Sequence, residues 1–169
     1  ESKECYYIYQ LIMNGRSQTG LVCVSSVEDY FNDVIKKHEF TRPEKEKNRI
    51  EHMQTIEAQT GNVFIAYRDV MEINALINGW KAKNKPTYDF VASDGIQHSI
   101  WTIDRDDVIN SITRLFETKV DFTYIADGHH RAASAAKVSK EFDFKQEFYV
   151  WLSEYPEARE LLLVTSEKN

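Results

Sequence analysis

Residues 120–142 read VDFTYIADGHHRAASAAKVSKEF, and the chain's organisation is clearest from this stretch. VDFTYIA is dense in β-branched and aromatic side chains and reads as a strand. Asp127-Gly128 interrupts it, and the alanine-rich run from Arg131 to Phe142 reads as a helix. A helix that starts directly behind a strand and a glycine presents unpaired backbone N–H groups beyond the strand end, where anions bind. The rest of the sequence supplies the sheet and helices around this junction.

Upstream, CYYIYQLIM (5–13) and TGLVCVSSV (19–27) flank Asn14-Gly15 and predict a hairpin. Ser26 with Glu28 and Asp29 predicts the start of a short helix through Ile35. Thr41 and Glu44 have the spacing of a capping box, with Pro43 in the first turn, so a second helix is expected to about Thr60 and a stop at Gly61. Glu44 and Lys47, and Glu46 and Arg49, are spaced as i,i+3 pairs on a solvated face. NVFIAY (62–67) predicts a strand, and Val70, Ile73, Ile77 and Trp80 one face of a helix that ends at Asn84-Lys85-Pro86. TYDFVA (87–92) and QHSIWTI (97–103) form a second hairpin about Asp94-Gly95. Asp104, Asp106 and Asp107 open a helix whose Val108, Ile112, Leu115 and Phe116 face a core. EFYVWL (147–152) predicts a last strand, followed by an apolar ELLLVT segment (160–165) and a polar tail. No repeat or linker divides this series. The expected fold class is therefore α+β, one domain over 1–169 with helices packed on a mixed, largely antiparallel sheet.

At 169 residues the length also suits one domain. Lys plus Arg total 21 and Asp plus Glu 27, a net charge of −6 that argues against nonspecific nucleic-acid binding. Hydrophobic residues make up 42% and charged residues 28%, a globular composition, and no run approaches the roughly 18 apolar residues of a spanning helix, so no membrane association is expected. Cys5 and Cys23 lack CxxC spacing, which points to a reduced, cytoplasmic setting without a disulfide framework.

Asp127-Gly128-His129-His130-Arg131 is the candidate binding element. Arg131 can contribute charge-assisted hydrogen bonds of roughly 1.5–3 kcal/mol each, well above the 0.3–1 kcal/mol of an exposed helix dipole. His129 and His130 can add donors, and Gly128 removes a Cβ that would hold a phosphate off the backbone. The alternative is a merely structural cap, with Asp127 capping the helix and the basic side chains in solvent. Adjacent histidines do not share the i,i+4 spacing that chelates one metal ion. Neither GxxxxGK[ST], GxGxxG nor GxSxG occurs. His98 reads as a hydrogen-bonded sheet residue, Arg68 and His52 as surface groups, and Trp80, Trp101 and Trp151 as core.

YIADGHHRAASA (124–135) resembles the signature of domain-of-unknown-function family 1015, and KKHEFTRPEKEKNRIEHMQTIEAQTGNVFIAYR (36–68) resembles that family's other well-marked block. With the segments between them the blocks cover most of the chain. Members of that family extend further at both ends, and the chain opens on Glu1, so the resemblance implies the central part of a longer protein. The family is similar to the ParB/sulfiredoxin-like superfamily, which implies that fold and a nucleotide phosphate at the helix start. Sulfiredoxins carry GGCHR there; His129 stands in place of the reactive Cys, which speaks against sulfinic acid repair. The free serine kinases of the superfamily use DGHHR, matched here at all five positions, with an upstream glutamate as base.

The resemblance thus implies a kinase transferring phosphate from ATP or ADP, with Mg²⁺, to a hydroxyl amino acid such as free serine. The His38-Glu39 pair is the candidate catalytic element, Glu39 as the base, although a solvated loop after Lys36 and Lys37 accounts for the pair equally well. The competing expectation is a ParB-like regulatory module that binds nucleotide without turnover.

Overall fold

The computed structural model describes residues 3–142 and 147–154, the latter as backbone. The ELLLVT segment and the side chain of Trp151 lie outside the described residues. In chain order the elements are β1 (Tyr6–Met13), β2 (Arg16–Ser26), α1 (Val27–Phe31), β3 (Ile35–Lys36), α2 (Pro43–Ile56), β4 (Val63–Tyr67), α3 (Met71–Lys83), β5 (Tyr88–Val91), β6 (Gln97–Ile103), α4 (Asp106–Lys119), β7 (Thr123–Asp127), α5 (His129–Phe142) and β8 (Glu147–Glu154). The class is α+β, with one open sheet in the order β3-β7-β4-β8-β2-β1-β6-β5. It is mostly antiparallel; among the described strands only β3–β7 and β4–β8 pair in parallel. Among the described residues no helix is long and apolar enough to cross a membrane.

Both expected hairpins form. Asn14 and Gly15 have φ of 51° and 75°, the pair of left-handed residues that a two-residue turn matched to strand twist requires. His98 lies in the second hairpin, where its Nδ1 meets the Tyr9 hydroxyl at 2.7 Å and its ring stacks between Tyr9 and Phe90.

Four local expectations are corrected. The first helix stops at Phe31, because Asn32 caps it and Asp33 turns left-handed at φ 61°; Ile35-Lys36 then pair with β7 instead of continuing the helix. Thr41 and Glu44 do not form a capping box: Arg42 is the N-cap of α2, without a side-chain cap, and the Thr41 hydroxyl donates to Glu46. Left-handed Glu57 ends α2 four residues before Gly61. Nor is Glu46 solvated beside Arg49. Its side chain is buried and its carboxylate receives Lys137 of α5 as well as Thr41, while Lys47 pairs with Glu51 at 3.8 Å.

One cluster forms most of the core. Ile8, Leu21, Ile65, Ile103 and Ile125 enter it from five strands, Ile73 and Ile77 from α3, and Ile112 from α4. Complete burial of Ile112 contributes about 1.5–3 kcal/mol, and Val108, Leu115 and Phe116 extend the same face of α4 as its spacing predicts. Trp101 is buried in this cluster and Trp80 packs against it, each indole N–H donating to a carbonyl, of Asn84 and Thr102 respectively. Ala66 and Tyr124, with Ala126 against them, form a second cluster. On α5, Ala132, Ala133, Ala135 and Ala136 are all buried, and their small side chains let the helix lie close to its neighbours α2 and α1.

The topology also decides what meets at the sheet end. β3 runs parallel to β7 in the register Ile35↔Thr123, Lys36↔Tyr124, so the residues following Lys36 travel beside 125–130. β4 runs antiparallel to β7 with Phe64 opposite Asp127, so the residues preceding β4 arrive at the same end. A register shift at Phe64/Ile65 lets β7 insert one extra residue before Asp127, a bulge that re-aims the strand end. Three segments far apart in sequence therefore converge on Gly128.

Candidate functional site

Gly128 links β7 to α5 at φ 97°, a backbone region that side chains disfavour. The first intrahelical bond runs from the Ala132 N–H to the Gly128 carbonyl at 2.9 Å, so the amides of His129, His130 and Arg131 belong to the open first turn. Arg131 folds back over the glycine. A Cβ on Gly128 would stand 2.8 Å from both Nε and Nη2 of Arg131, and one on Gly61, just ahead of β4, 3.8 Å from its Cδ. Nη2 donates to Asp127 at 2.7 Å, whereas Nε is buried without a hydrogen-bond partner. The guanidinium thus lies over the helix start, only partly neutralised by an exposed aspartate.

The two histidines act differently from the expectation that both offer donors to a ligand. His129 is turned inward and 4% exposed. Its Nε2 accepts the His38 backbone N–H at 3.4 Å, and the two imidazoles meet edge to face with centroids 4.4 Å apart. Burial first, and then the neighbouring His38, push its pKa down to about 4 against the opposing pull of Glu39 and Asp127, so the ring is neutral at neutral pH. With Nε2 accepting, the ring proton sits on Nδ1, which faces the Glu39 carboxylate at 3.6 Å. His130 Nε2 accepts the Arg42 backbone N–H at 3.1 Å. Segment 38–42 is thereby fastened to the start of α5 at two points.

The structure brings together all seven residues singled out in the sequence: His38 and Glu39 on the segment after β3, and Asp127, Gly128, His129, His130 and Arg131 at the β7–α5 junction. Arg68, at the far end of β4, is exposed and takes no part. His52 is exposed on α2, as its reading as a surface group expects. With Lys45, Asn48 and Arg49 of α2, Thr60 and His130 it lines an open groove of about 570 Å³ beside α5. A smaller crevice shares Arg49, His52 and Thr60 and reaches Arg131. Residues 45, 48, 49 and 52 fall at i, i+3, i+4 and i+7, one helix face, and that spacing is the sequence signal that could have identified them.

Among the described residues, no group of three His, Cys, Asp or Glu side chains is arranged to hold a metal ion. A magnesium ion accompanying a nucleotide commonly takes one or two carboxylates and completes its shell with phosphate oxygens and water. Glu39 and Asp127 are the carboxylates that stand at this junction.

No curated protein and no solved structure matches the chain. A family model described as "Protein of unknown function (DUF1015)" matches residues 1–165, which takes in every element described above. The segment that carries Glu39, the basic face of α2 and the DGHHR junction all fall inside that match, and the chain belongs to the DUF1015 family.

Proposed function

We propose that the chain is a small-molecule kinase of ParB/sulfiredoxin-like type that transfers phosphate from ATP or ADP to a hydroxyl amino acid such as free serine. The observation that carries this reading is the approach of Glu39 to within 3.6 Å of His129 in the DGHHR junction, across a sequence separation of 90 residues. A carboxylate and an anion-binding helix start on one rim are the two parts such a transfer needs.

In the reaction, the acceptor hydroxyl oxygen forms a bond to the terminal phosphorus while the bond from phosphorus to the bridging oxygen breaks. The nucleotide leaves with one phosphate fewer, and the hydroxyl proton passes to Glu39. Arg131 and the open amides of α5 receive the charge that builds on the phosphoryl oxygens. A Mg²⁺ ion bound with the nucleotide would supply further charge neutralisation. His129 does not touch the substrates: buried and neutral, it is a positioning residue that directs its Nδ1–H at Glu39.

Incubation with ATP or ADP, Mg²⁺ and free serine, followed by mass-spectrometric detection of phosphoserine, tests the proposal. Product is expected for the wild type and a loss of at least a hundredfold for both Glu39→Gln and Arg131→Ala. Turnover that survives both substitutions overturns it. A second reading, nucleotide binding without transfer, is favoured by the 60% exposure of the Glu39 side chain. It predicts thermal stabilisation by nucleotide with no phosphorylated product.

A further inference from the structure

The groove between α2 and the start of α5 has a composition at odds with the acidic chain that contains it. Lys45, Arg49 and His52 project from one face of α2 toward a common space that His130 closes from α5. Among the described residues none of these three is in an ion pair, whereas Lys47, outside the groove, pairs with Glu51 and the buried carboxylate of Glu46 is taken by Lys137. Glu51 and Glu46 of α2 thus have partners of their own, and Lys45 and Arg49 stand in the groove outside every ion pair among the described residues. The adjoining crevice continues this lining to Arg131 through Arg49, His52 and Thr60. Basic groups consequently form a track that starts at the Gly128 junction and runs along α2 for two helical turns, about 10 Å.

We propose that this groove is a second anion subsite, built for a linear chain of two or three phosphoryl groups. The phosphoryl group at the α5 start lies at one end of the track, and the following phosphates extend along α2 against Arg49, His52 and Lys45. A single orthophosphate would use the junction alone. The chemistry is shared by a nucleoside di- or triphosphate and by inorganic polyphosphate, both of which place several negative charges in a row. The inference deepens the reading of the junction as a phosphate site, yet it concerns binding and holds whether or not a phosphoryl group is transferred.

Calorimetric titration of the chain with orthophosphate, tripolyphosphate and ATP tests it. Tripolyphosphate is expected to bind at least tenfold more tightly than orthophosphate. The double variant Lys45→Ala/Arg49→Ala should remove that advantage while changing orthophosphate affinity less than twofold. Lys47→Ala/Lys85→Ala, which deletes two charges from exposed positions that do not line the groove, should leave both affinities within about twofold. ATP binding more tightly than tripolyphosphate identifies a nucleotide as the source of the chain; equal affinity identifies the inorganic form. Unchanged tripolyphosphate affinity in the groove variant, or equal weakening in the control, overturns the proposal, as does tighter binding of single-stranded oligonucleotide than of either phosphate chain. The two proposals fail separately. Phosphoserine formation sensitive to Glu39→Gln but with an unaltered KM for ATP in the groove variant removes the groove alone. Loss of tripolyphosphate binding in the groove variant without any phosphoserine in the wild type removes the kinase alone.

Discussion

Arg131 lies over Gly128 so closely that a Cβ on the glycine would stand 2.8 Å from two guanidinium nitrogens, and the guanidinium would have to swing aside. Gly128→Ala therefore meets two costs, a left-handed backbone that alanine resists and displacement of the arginine. Chemical denaturation should register a loss of about 1–3 kcal/mol. Because part of that cost is the contact itself, adding Arg131→Ala should recover some of it, and the double variant should lose less stability than the sum of the singles. Strict additivity would show that the contact carries no energy.

His129 predicts a pH dependence of stability. Its pKa is lowered to about 4 in the folded chain, against an ordinary value near 6.5, so the unfolded chain binds the proton more readily. The contribution is complete above about pH 6.5 and shrinks as pH falls from there to 4, by roughly 1.4 kcal/mol per unit and on the order of 3 kcal/mol in all. Denaturation at pH 7, 5.5 and 4.5 should show this slope. His129→Gln keeps an amide oxygen to accept the His38 N–H and cannot titrate, so its profile over that range should be flatter.

Glu46 makes the opposite kind of buried contact. Burial works to raise its carboxyl pKa, but the hydrogen bonds from Lys137 and Thr41 outweigh it and hold the group below the ordinary carboxylate range. Its contribution is present above about pH 4.5 and is lost as pH falls further. Lys137→Met leaves the carboxylate buried with Thr41 as its remaining side-chain partner and should cost about 1–3 kcal/mol. Glu46→Gln/Lys137→Met should recover part of that loss, and urea midpoints of the wild type and the two variants would show whether it does.

Burial pushes the Cys23 thiol up to about 12. At pH 8 its thiolate fraction is then about one in ten thousand, against roughly a quarter for an ordinary cysteine. Alkylation followed over time by mass spectrometry should find Cys23 about a thousandfold slower than a model thiol under native conditions, and equal to it in denaturant.

Periodicity and turn chemistry were enough to read the hairpins and the helices α3, α4 and α5, because their side chains face one core. The two-residue β3 has no local signature; it exists because left-handed Asp33 turns the chain back against β7. Its parallel pairing is also what carries Glu39 to His129, so the proximity of the two was invisible in a linear string. The Thr41-Glu44 box misled for a related reason: Thr41 has a stronger partner in Glu46, itself held by Lys137 of α5, 91 residues further along the chain. The basic face of α2 was legible by spacing, yet Lys45, Arg49 and His52 look like any solvated face until α5 stands opposite them.

The position of β8 bears on how the protein is made. It is the last described strand in sequence, yet it sits inside the sheet, between β4 and β2, bonded in parallel to one and antiparallel to the other. During synthesis the block β3-β7-β4, which carries the candidate site, and the block β2-β1-β6-β5 have no strand between them until residue 154 has left the ribosome. Any sheet the two blocks form before β8 is in place has two open inner edges, β4 and β2, of the kind that pairs with a neighbouring chain. A stop codon before Glu147 would fix the protein at that stage, splitting the sheet through its middle rather than trimming its edge.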